Sequence, residues 1–251
     1  MFDLTNKTAL VTGASSGLGQ QISKALAKAG AHVLAASRNK YALDNLVDTI
    51  KSSGGSAESL ELDISQLADV KTCLSSISPI DILVNNAGIA KLTSVFDDDH
   101  QHNFEKVIQI NLIGLWHVTK VIATQMRNHK IQGSIINIGS VNGDSMPGIT
   151  SAAYNASKAA VLQITKGLVG ELSPYKIRIN AISPGFFPTE MSKGSLERLG
   201  EKLTSRIPLN FIPDLSDMDA TILYLASNRA SRYVTGSVIT IDGGISWGGI
   251  S

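Results

Sequence analysis

The sequence predicts an α/β fold of a single domain, a parallel sheet with helices on both faces. Three observations carry that reading. Short apolar runs alternate with longer helical patterns seven times along the 251 residues, the signature of repeated strand–helix–strand units. The runs are continuously apolar instead of alternating, as strands are when helices cover both sheet faces. No Pro-, Gly- or Ser-rich linker interrupts the pattern, so residues 1–251 read as one domain. At about 200–250 residues, α/β folds often stay undivided.

The elements follow in order. Thr8–Thr12 reads as the first strand, and Leu18–Ala29 has helical spacing that ends at Gly30. His32–Ser37 is the second strand and Tyr41–Ser52 the second helix. Ser59–Asp63 is the third strand, followed by a helix near Ala68–Ile77. The interval between Asp63 and Asp81 is short, so that helix is expected to lose a turn. Asp81–Asn85 is the fourth strand, Phe104–His129 a long helical stretch, and Ser134–Gly139 the fifth strand. Ala153–Ser173 is a helix stopped by Pro174, and Ile177–Ser183 a sixth strand stopped by Pro184-Gly185. Val238–Asp242 is the seventh, stopped by Gly243-Gly244. Apolar runs mark the buried strands, and Gly and Pro mark the stops. Ser192–Pro213 is the least regular segment. It falls between strand six and the last helix, the position of a lid above the carboxyl edge of the sheet, and the lid is expected around residues 186–213.

Composition bounds the function. Apolar residues make up 43% and charged residues 17%, a globular balance that argues against disorder. The net charge is +1 with both signs interspersed, which gives no footprint for nucleic acid or an anionic membrane. Cys73 is the one cysteine, so an intramolecular disulfide is excluded and a reducing compartment suits the chain. No run of about 18 apolar residues exists, and Met1-Phe2-Asp3-Leu4 lacks the basic and apolar regions of a leader. A soluble, cytoplasmic protein is expected.

Three stretches carry chemistry. Thr12-Gly13-Ala14-Ser15-Ser16-Gly17-Leu18-Gly19 follows the first strand and opens a helix. Its glycines allow a tight turn and a close approach to a pyrophosphate, and the helix N-terminus offers free N–H groups to the anion. The spacing is G-x-x-x-G-x-G rather than G-x-G-x-x-G. Asn85-Asn86-Ala87-Gly88 ends the fourth strand beside that turn, where strand order reverses in open α/β sheets. In Tyr154-Asn155-Ala156-Ser157-Lys158, Tyr154 and Lys158 stand at i and i+4 and share a helix face. A lysine charge there is expected to lower the phenol's pKa from about 10. Ser140 closes the fifth strand and converges on the same crevice.

Thr12–Gly19, Asn85–Gly88, Asn111, Ser140, Tyr154–Lys158, Pro184-Gly185 and Asp242-Gly243-Gly244 together resemble the classical short-chain dehydrogenase/reductase family, in order along the whole chain. The resemblance implies a single Rossmann domain with seven parallel strands in the order 3-2-1-4-5-6-7. It implies that Tyr154 is the general acid for carbonyl reduction and the base for alcohol oxidation. Lys158 lowers its pKa and holds the nicotinamide ribose, and Ser140 binds the substrate oxygen. Asn111 holds a water that links Lys158 to solvent, or simply bends the long helix. Gly13, Ser15, Ser16, Gly17, Leu18 and Gly19 line the pyrophosphate. Asp63 and Ile64 meet the adenine, and Asn85, Ala87 and Gly88 flank the adenosine ribose. Pro184, Gly185, Phe187 and Thr189 embrace the nicotinamide. The interval from Ser140 to Tyr154 is fourteen positions, one more than the family pattern, and the extra residue is assigned to the loop Asn142–Ser151.

The acidic position of NAD-dependent members falls on Ser37, followed by Arg38, whose guanidinium suits a 2′-phosphate. The expected cofactor is NADP(H), with NAD(H) as the alternative, although Ser15-Ser16 lacks the basic residue of some NADP-dependent members. The segment Pro184–Met191 looks like members acting on 3-oxoacyl thioesters or on sugar acids such as gluconate. A non-catalytic NADP-binding protein and an NAD-dependent sugar or polyol dehydrogenase are the alternatives. Lys193, Arg198, Lys202 and Arg206 in the lid suit a phosphopantetheine, CoA or carboxylate group, or simply solvent, and Met146, Phe186, Phe187 and Met191 favour a partly apolar substrate. Asp97-Asp98-Asp99 with His100 and His102 reads as a solvated acidic loop rather than a metal site; no metal is expected. Trp116, Trp247 and the apolar tail Gly243–Ser251 read as packing or subunit contacts. The resemblance implies a homotetramer, or a dimer, built on the two long helices and strand seven.

Overall fold

The computed structural model of the protein describes residues 2–97, 100–145, 148 and 151–248. Seven strands form one parallel sheet: β1 Thr8–Thr12, β2 His32–Ser37, β3 Ser56–Glu61, β4 Ile82–Asn85, β5 Ser134–Ile138, β6 Arg178–Pro184 and β7 Val238–Ile241. Their order is β3-β2-β1-β4-β5-β6-β7. The reversal between β1 and β4 parts the chain on leaving those strands and opens a crevice at their carboxyl ends.

Helices cover both faces: α1 Gly17–Lys28, α2 Lys40–Ser52, α3 Leu67–Ser75, α4 His100–Ile108, α5 Leu115–Asn128 and α6 Ala152–Gly167. The short α7 Val169–Leu172 leads to β6. Beyond it come α8 Glu190–Thr204, α9 Asp219–Ala226, α10 Asn228–Ser231 and α11 Ile245–Gly248. One core packs Ile22 and Leu26 of α1, Leu43 and Leu46 of α2 and Ile222 of α9 against Ala9, Val11 and Val33. The other packs Val70 and Leu74 of α3 and Val118, Ile122 and Met126 of α5 against Leu10, Leu34 and Ile135. Neighbouring residues of β1 thus serve opposite layers, which is why the strand reads as unbroken apolar sequence. Each fully buried Leu or Ile contributes roughly 1.5–3 kcal/mol.

Several boundaries differ from the sequence reading. The third strand is Ser56–Glu61, three residues earlier than expected, because its pairing runs from His32↔Ser56 to Ser37↔Glu61. It is an edge strand with a half-exposed, polar sequence, so an apolar run does not mark it. Asp63 therefore lies beyond the strand. The third helix is indeed short, at nine residues. The long helical stretch starts earlier, at His100, and is interrupted by a π-helical turn at Gln109–Gly114 that contains Asn111. His100–Asn128 spans 29 residues and contains an 18-residue window of mean hydropathy 1.3, long and apolar enough to cross a membrane by length and composition. The expectation of no such segment is corrected to that extent; here the rod packs Val107, Leu115, Val118, Ile122 and Met126 into the core. The sixth helix ends at Gly167, before α7 and a 3₁₀ turn at Ser173–Tyr175 that contains Pro174.

The lid segment is more regular than expected. It forms α8, capped by Thr189, whose side chain accepts from Ser192 N while the Ser192 hydroxyl accepts from Thr189 N. Gly200, at φ 45°, breaks its course. Asp98, Asp99, Met146, residues 249–251 and the Arg198 side chain lie outside the described residues, and the acidic loop, the apolar lining and the tail are described only in part. Among the described residues, His100 lies 3.4 Å from Asp97 and also accepts from Ser94 N.

Candidate active site

The crevice is a cleft of ≈ 450 Å³ at the carboxyl edge. One wall is the β1–α1 turn. Gly13 adopts φ 66°, and a Cβ there would sit 2.7 Å from Ala87 Cα. A Cβ on Gly19 would collide with the Gly13 carbonyl and the Asn86 side chain. The turn therefore closes onto β4 only with glycine at both positions. Ser16, at the N-cap of α1, makes no side-chain cap, so the first N–H groups of the helix remain available to an anion. Ser15, Ser16, Gly17 and Leu18 all line this wall. A glycine cradle at an uncapped helix start fits a dinucleotide pyrophosphate.

Sequence reading assigned Asn85 to the cleft, and the structure places it elsewhere. Asn85 is buried, and its Nδ2 donates to Thr119 Oγ1 at 2.8 Å and to Asn137 Oδ1 at 2.9 Å. Register decides this: Asn85 pairs with Asn137 across β4 and β5, so both side chains enter the same helix layer. Asn86, which that reading left unassigned, lines the cleft and ties the walls together. Its Nδ2 donates to Thr12 O at 3.0 Å and to Gly13 O at 3.1 Å, while Thr12 Oγ1 accepts from Asn86 N and Ala87 N. Ala87 and Gly88 line the cleft as expected.

At the opposite end lie Ser37, Arg38, Asp63 and Ile64. Ser37 Oγ accepts from Asn39 N at 3.0 Å, and Asn39 in turn caps α2. Arg38 is exposed, and its guanidinium has no hydrogen bond or ion pair among the described residues. Asp63 Oδ1 accepts from Ser65 N and Ser65 Oγ, which fixes the chain as it leaves β3.

Ser140, Tyr154 and Lys158 meet on the cleft floor. Ser140 caps the 3₁₀ turn Val141–Gly143 by accepting from Asn142 N at 3.2 Å. A Cβ on Gly143 would collide with the α6 backbone at Lys158 and Ala159, so the serine's turn stacks directly on the helix that carries the lysine. The Ser140 hydroxyl stands on the same floor and lowers the pKa of the Tyr154 phenol. Lys158 is buried, donates from Nζ to Ile138 O at 2.8 Å, and lies 5.8 Å from the Tyr154 ring centroid. Burial brings its pKa down to about 8.

The expected depression of the phenol's pKa is corrected here. Burial raises Tyr154 above its ordinary 10.0, and the Ser140 hydroxyl only partly opposes this. The buried ammonium takes the nearby Ile138 carbonyl as its acceptor and stays off the phenolic oxygen.

Asn111 does not line the cleft. Its Oδ1 accepts from Ile89 N at 2.8 Å, and its Nδ2 donates to Ile89 O at 2.9 Å and to Ser157 Oγ at 3.1 Å. It ties the loop after β4 to α6 beneath the lysine. In the loop with the extra residue, Asn155 holds Gly148 by a bond in each direction, whereas residues 146, 147, 149 and 150 are outside the described ones. Pro184, Gly185, Phe187 and Thr189 line the far wall. A Cβ on Gly185 would sit 2.8 Å from Asp242 Cβ, which joins the ends of β6 and β7.

Fold and cleft define a dinucleotide-binding α/β oxidoreductase with a serine, a tyrosine and a lysine converging on the cleft floor. Residues 7–199 match the short chain dehydrogenase family model. The chain belongs to the short-chain dehydrogenase/reductase family. It is 37% identical over 247 residues to the 3-oxoacyl-(acyl-carrier-protein) reductase of Thermotoga maritima, covering 96% of this chain and 98% of that one. It is equally 37% identical over 250 residues to the 2-dehydro-3-deoxy-D-gluconate 5-dehydrogenase of Bacillus subtilis, at 97% and 96% coverage. A solved gluconate 5-dehydrogenase from Burkholderia cenocepacia, in complex with NADP and tartrate, matches with a TM-score of 0.90. That protein is 30% identical, over 98% of this chain and 97% of its own.

Proposed function

We propose that the protein is an NADP(H)-dependent reductase of 3-oxoacyl thioesters or closely similar neutral ketones. The observation that carries the reading is the convergence of Ser140, Tyr154 and Lys158 on the floor of a cleft with a glycine cradle at one wall. Bound along Gly13–Gly19, Ala87, Gly88, Pro184, Gly185 and Thr189, a nicotinamide cofactor supplies the hydride. Ser140 and Tyr154 donate hydrogen bonds to the substrate carbonyl oxygen and stabilise the charge that builds there. Tyr154 then releases its phenolic proton to that oxygen. A phenol whose pKa lies above 10.0 is fully protonated at neutral pH, which suits the reducing direction. Lys158, with its Nζ on Ile138 O, adds positive charge to the floor that steadies the negative charge developing at the reacting oxygens.

The lining supports a neutral substrate. Among the described residues the cleft's cations are Arg38, at the adenine end, and Lys158, on the floor, whereas Glu190 and Met191 stand at the lid with Phe186. Among the described residues that line the cleft, a sugar-acid carboxylate would meet Glu190 with no cation beside it. Purified enzyme with NADPH is expected to turn over an acetoacetyl thioester with a kcat/KM at least about tenfold above that for a keto sugar acid, since an unpaired buried charge costs more than a factor of ten. Preference for the sugar acid would overturn the substrate assignment.

The assembly belongs to the same reading. Phe104 and Trp116 on α4 and α5 are exposed, as are Tyr233 and Trp247 beside the edge strand β7. Covering both faces across two-fold axes gives a homotetramer. Light scattering at micromolar concentration is expected to give a particle of four chains, each 26.6 kDa. A single-chain mass would contradict it. The cytoplasm is the proposed location, since Cys73 is a free thiol and suits a reducing compartment.

A further inference from the structure

The helix that carries Tyr154 and Lys158 takes its N-terminal cap from a distant part of the chain. The first N–H groups of a helix have no acceptor within it. Ser151, at the N-cap of α6, gives no side-chain cap. The next residues inward are Ala152 and the fully buried Ala153. The Ala153 N–H donates to Thr93 Oγ1 at 3.2 Å, across sixty positions of sequence. Thr93 is itself buried, in the loop between β4 and α4, and its backbone forms a parallel bridge with Ser151.

That loop also walls the cleft. Ile89 and Ala90 line it, and Asn111 holds both backbone groups of Ile89. The loop is therefore fastened at one end to the π-helical turn and at the other to the first turn of α6. The residue after Ala153 is Tyr154. We propose that Thr93 is a positioning residue: its hydroxyl fixes the first turn of α6, and with it the phenol, against the loop that bounds the substrate. The inference rests on the reading of Tyr154 as proton donor.

Thr93→Val keeps the shape and removes the acceptor, whereas Thr93→Ser keeps the acceptor. Expected is a drop in kcat of about tenfold in Thr93→Val with the KM for NADPH unchanged, since small misplacements of a reacting group are costly. Thr93→Ser restores kcat. A merely structural role would lower the melting temperature of Thr93→Val but leave kcat per folded molecule as in wild type, and that result overturns the proposal. So does failure of Thr93→Ser to rescue.

Amide hydrogen exchange on the cofactor-free protein gives a second readout. The Ala153 amide is expected to exchange at least about tenfold faster in Thr93→Val while Val161, deeper in α6, is unchanged. Unchanged exchange at Ala153 overturns the cap whatever the activity. If the wild type reduces no carbonyl compound, the proton-donor reading falls, and exchange at Ala153 alone decides whether Thr93 caps the helix.

Discussion

Tyr154→Phe is expected to lower kcat for ketone reduction by about 10²–10⁴-fold, the usual contribution of a positioned general acid. The substitution keeps the ring, so the half-buried packing of α6 is retained and only the hydroxyl beside Ser140 is lost. Cofactor affinity, read by quenching or enhancement of NADPH fluorescence, is expected to stay within a few-fold of wild type. Substantial residual turnover would show that another group gives up the proton. The pH profile separates the two titrating groups. Lys158 carries its charge below a pKa of about 8 and loses it above. Tyr154, raised above 10.0, remains protonated throughout that range. Reduction is therefore expected to hold below pH about 8 and to decline above it, as the lysine and not the phenol titrates. Oxidation needs the phenolate, and is expected to rise toward alkaline pH instead. A reduction rate flat to pH 10 would mean that the Lys158 charge is not needed.

The cofactor choice comes next in size. Wild type is expected to favour NADPH over NADH by about ten- to a hundredfold in kcat/KM, the range of one charge-assisted pair of roughly 1.5–3 kcal/mol. Arg38, proposed to read the 2′-phosphate, is exposed at the cleft with an unengaged guanidinium among the described residues. Ser37 beside it carries no charge to repel a phosphate. The double substitution Ser37→Asp/Arg38→Ala is expected to reverse the preference, because a carboxylate there binds the ribose diol and repels the 2′-phosphate. It also keeps an acceptor for the Asn39 N–H that Ser37 Oγ now satisfies at 3.0 Å, so the start of α2 survives. With no cation at Ser15 or Ser16 the preference has only one contributor and is not expected to exceed the upper end of that range. Wild-type preference for NADH, or no shift in the double variant, would show that Arg38 does not read the phosphate.

Much of the fold was legible because it is written locally. Thr8–Thr12 and His32–Ser37 are apolar runs with clear stops, and the strands fall on those residues. The edge strand Ser56–Glu61 was misplaced because one side of it faces solvent and its sequence looks like a loop. The lid helix α8 was missed because Gly194 and Gly200 break a polar stretch, and its cap at Thr189 shows only when the chain is folded. Asn111 was singled out as a polar residue able to bend its helix, and the helix does pass through a π turn there. That its amide clamps Ile89 is a contact across twenty-two positions, which no local pattern carries.

The sequence by itself determined the order of elements, the glycine turn, and the placing of Tyr154 and Lys158 on one helix face. Each of these depends on spacing within a few residues, where helix and strand periods fix geometry. Only the tertiary structure decided which of Asn85 and Asn86 meets the cleft, because the register of β4 against β5 sends one side chain inward. Only it decided that the Lys158 ammonium donates to Ile138, and that burial therefore governs the Tyr154 phenol. Only it supplied Thr93 as the cap of α6. In each case a buried polar group takes the acceptor or donor that folding brings nearest, and that neighbour comes from chain twenty or more positions away.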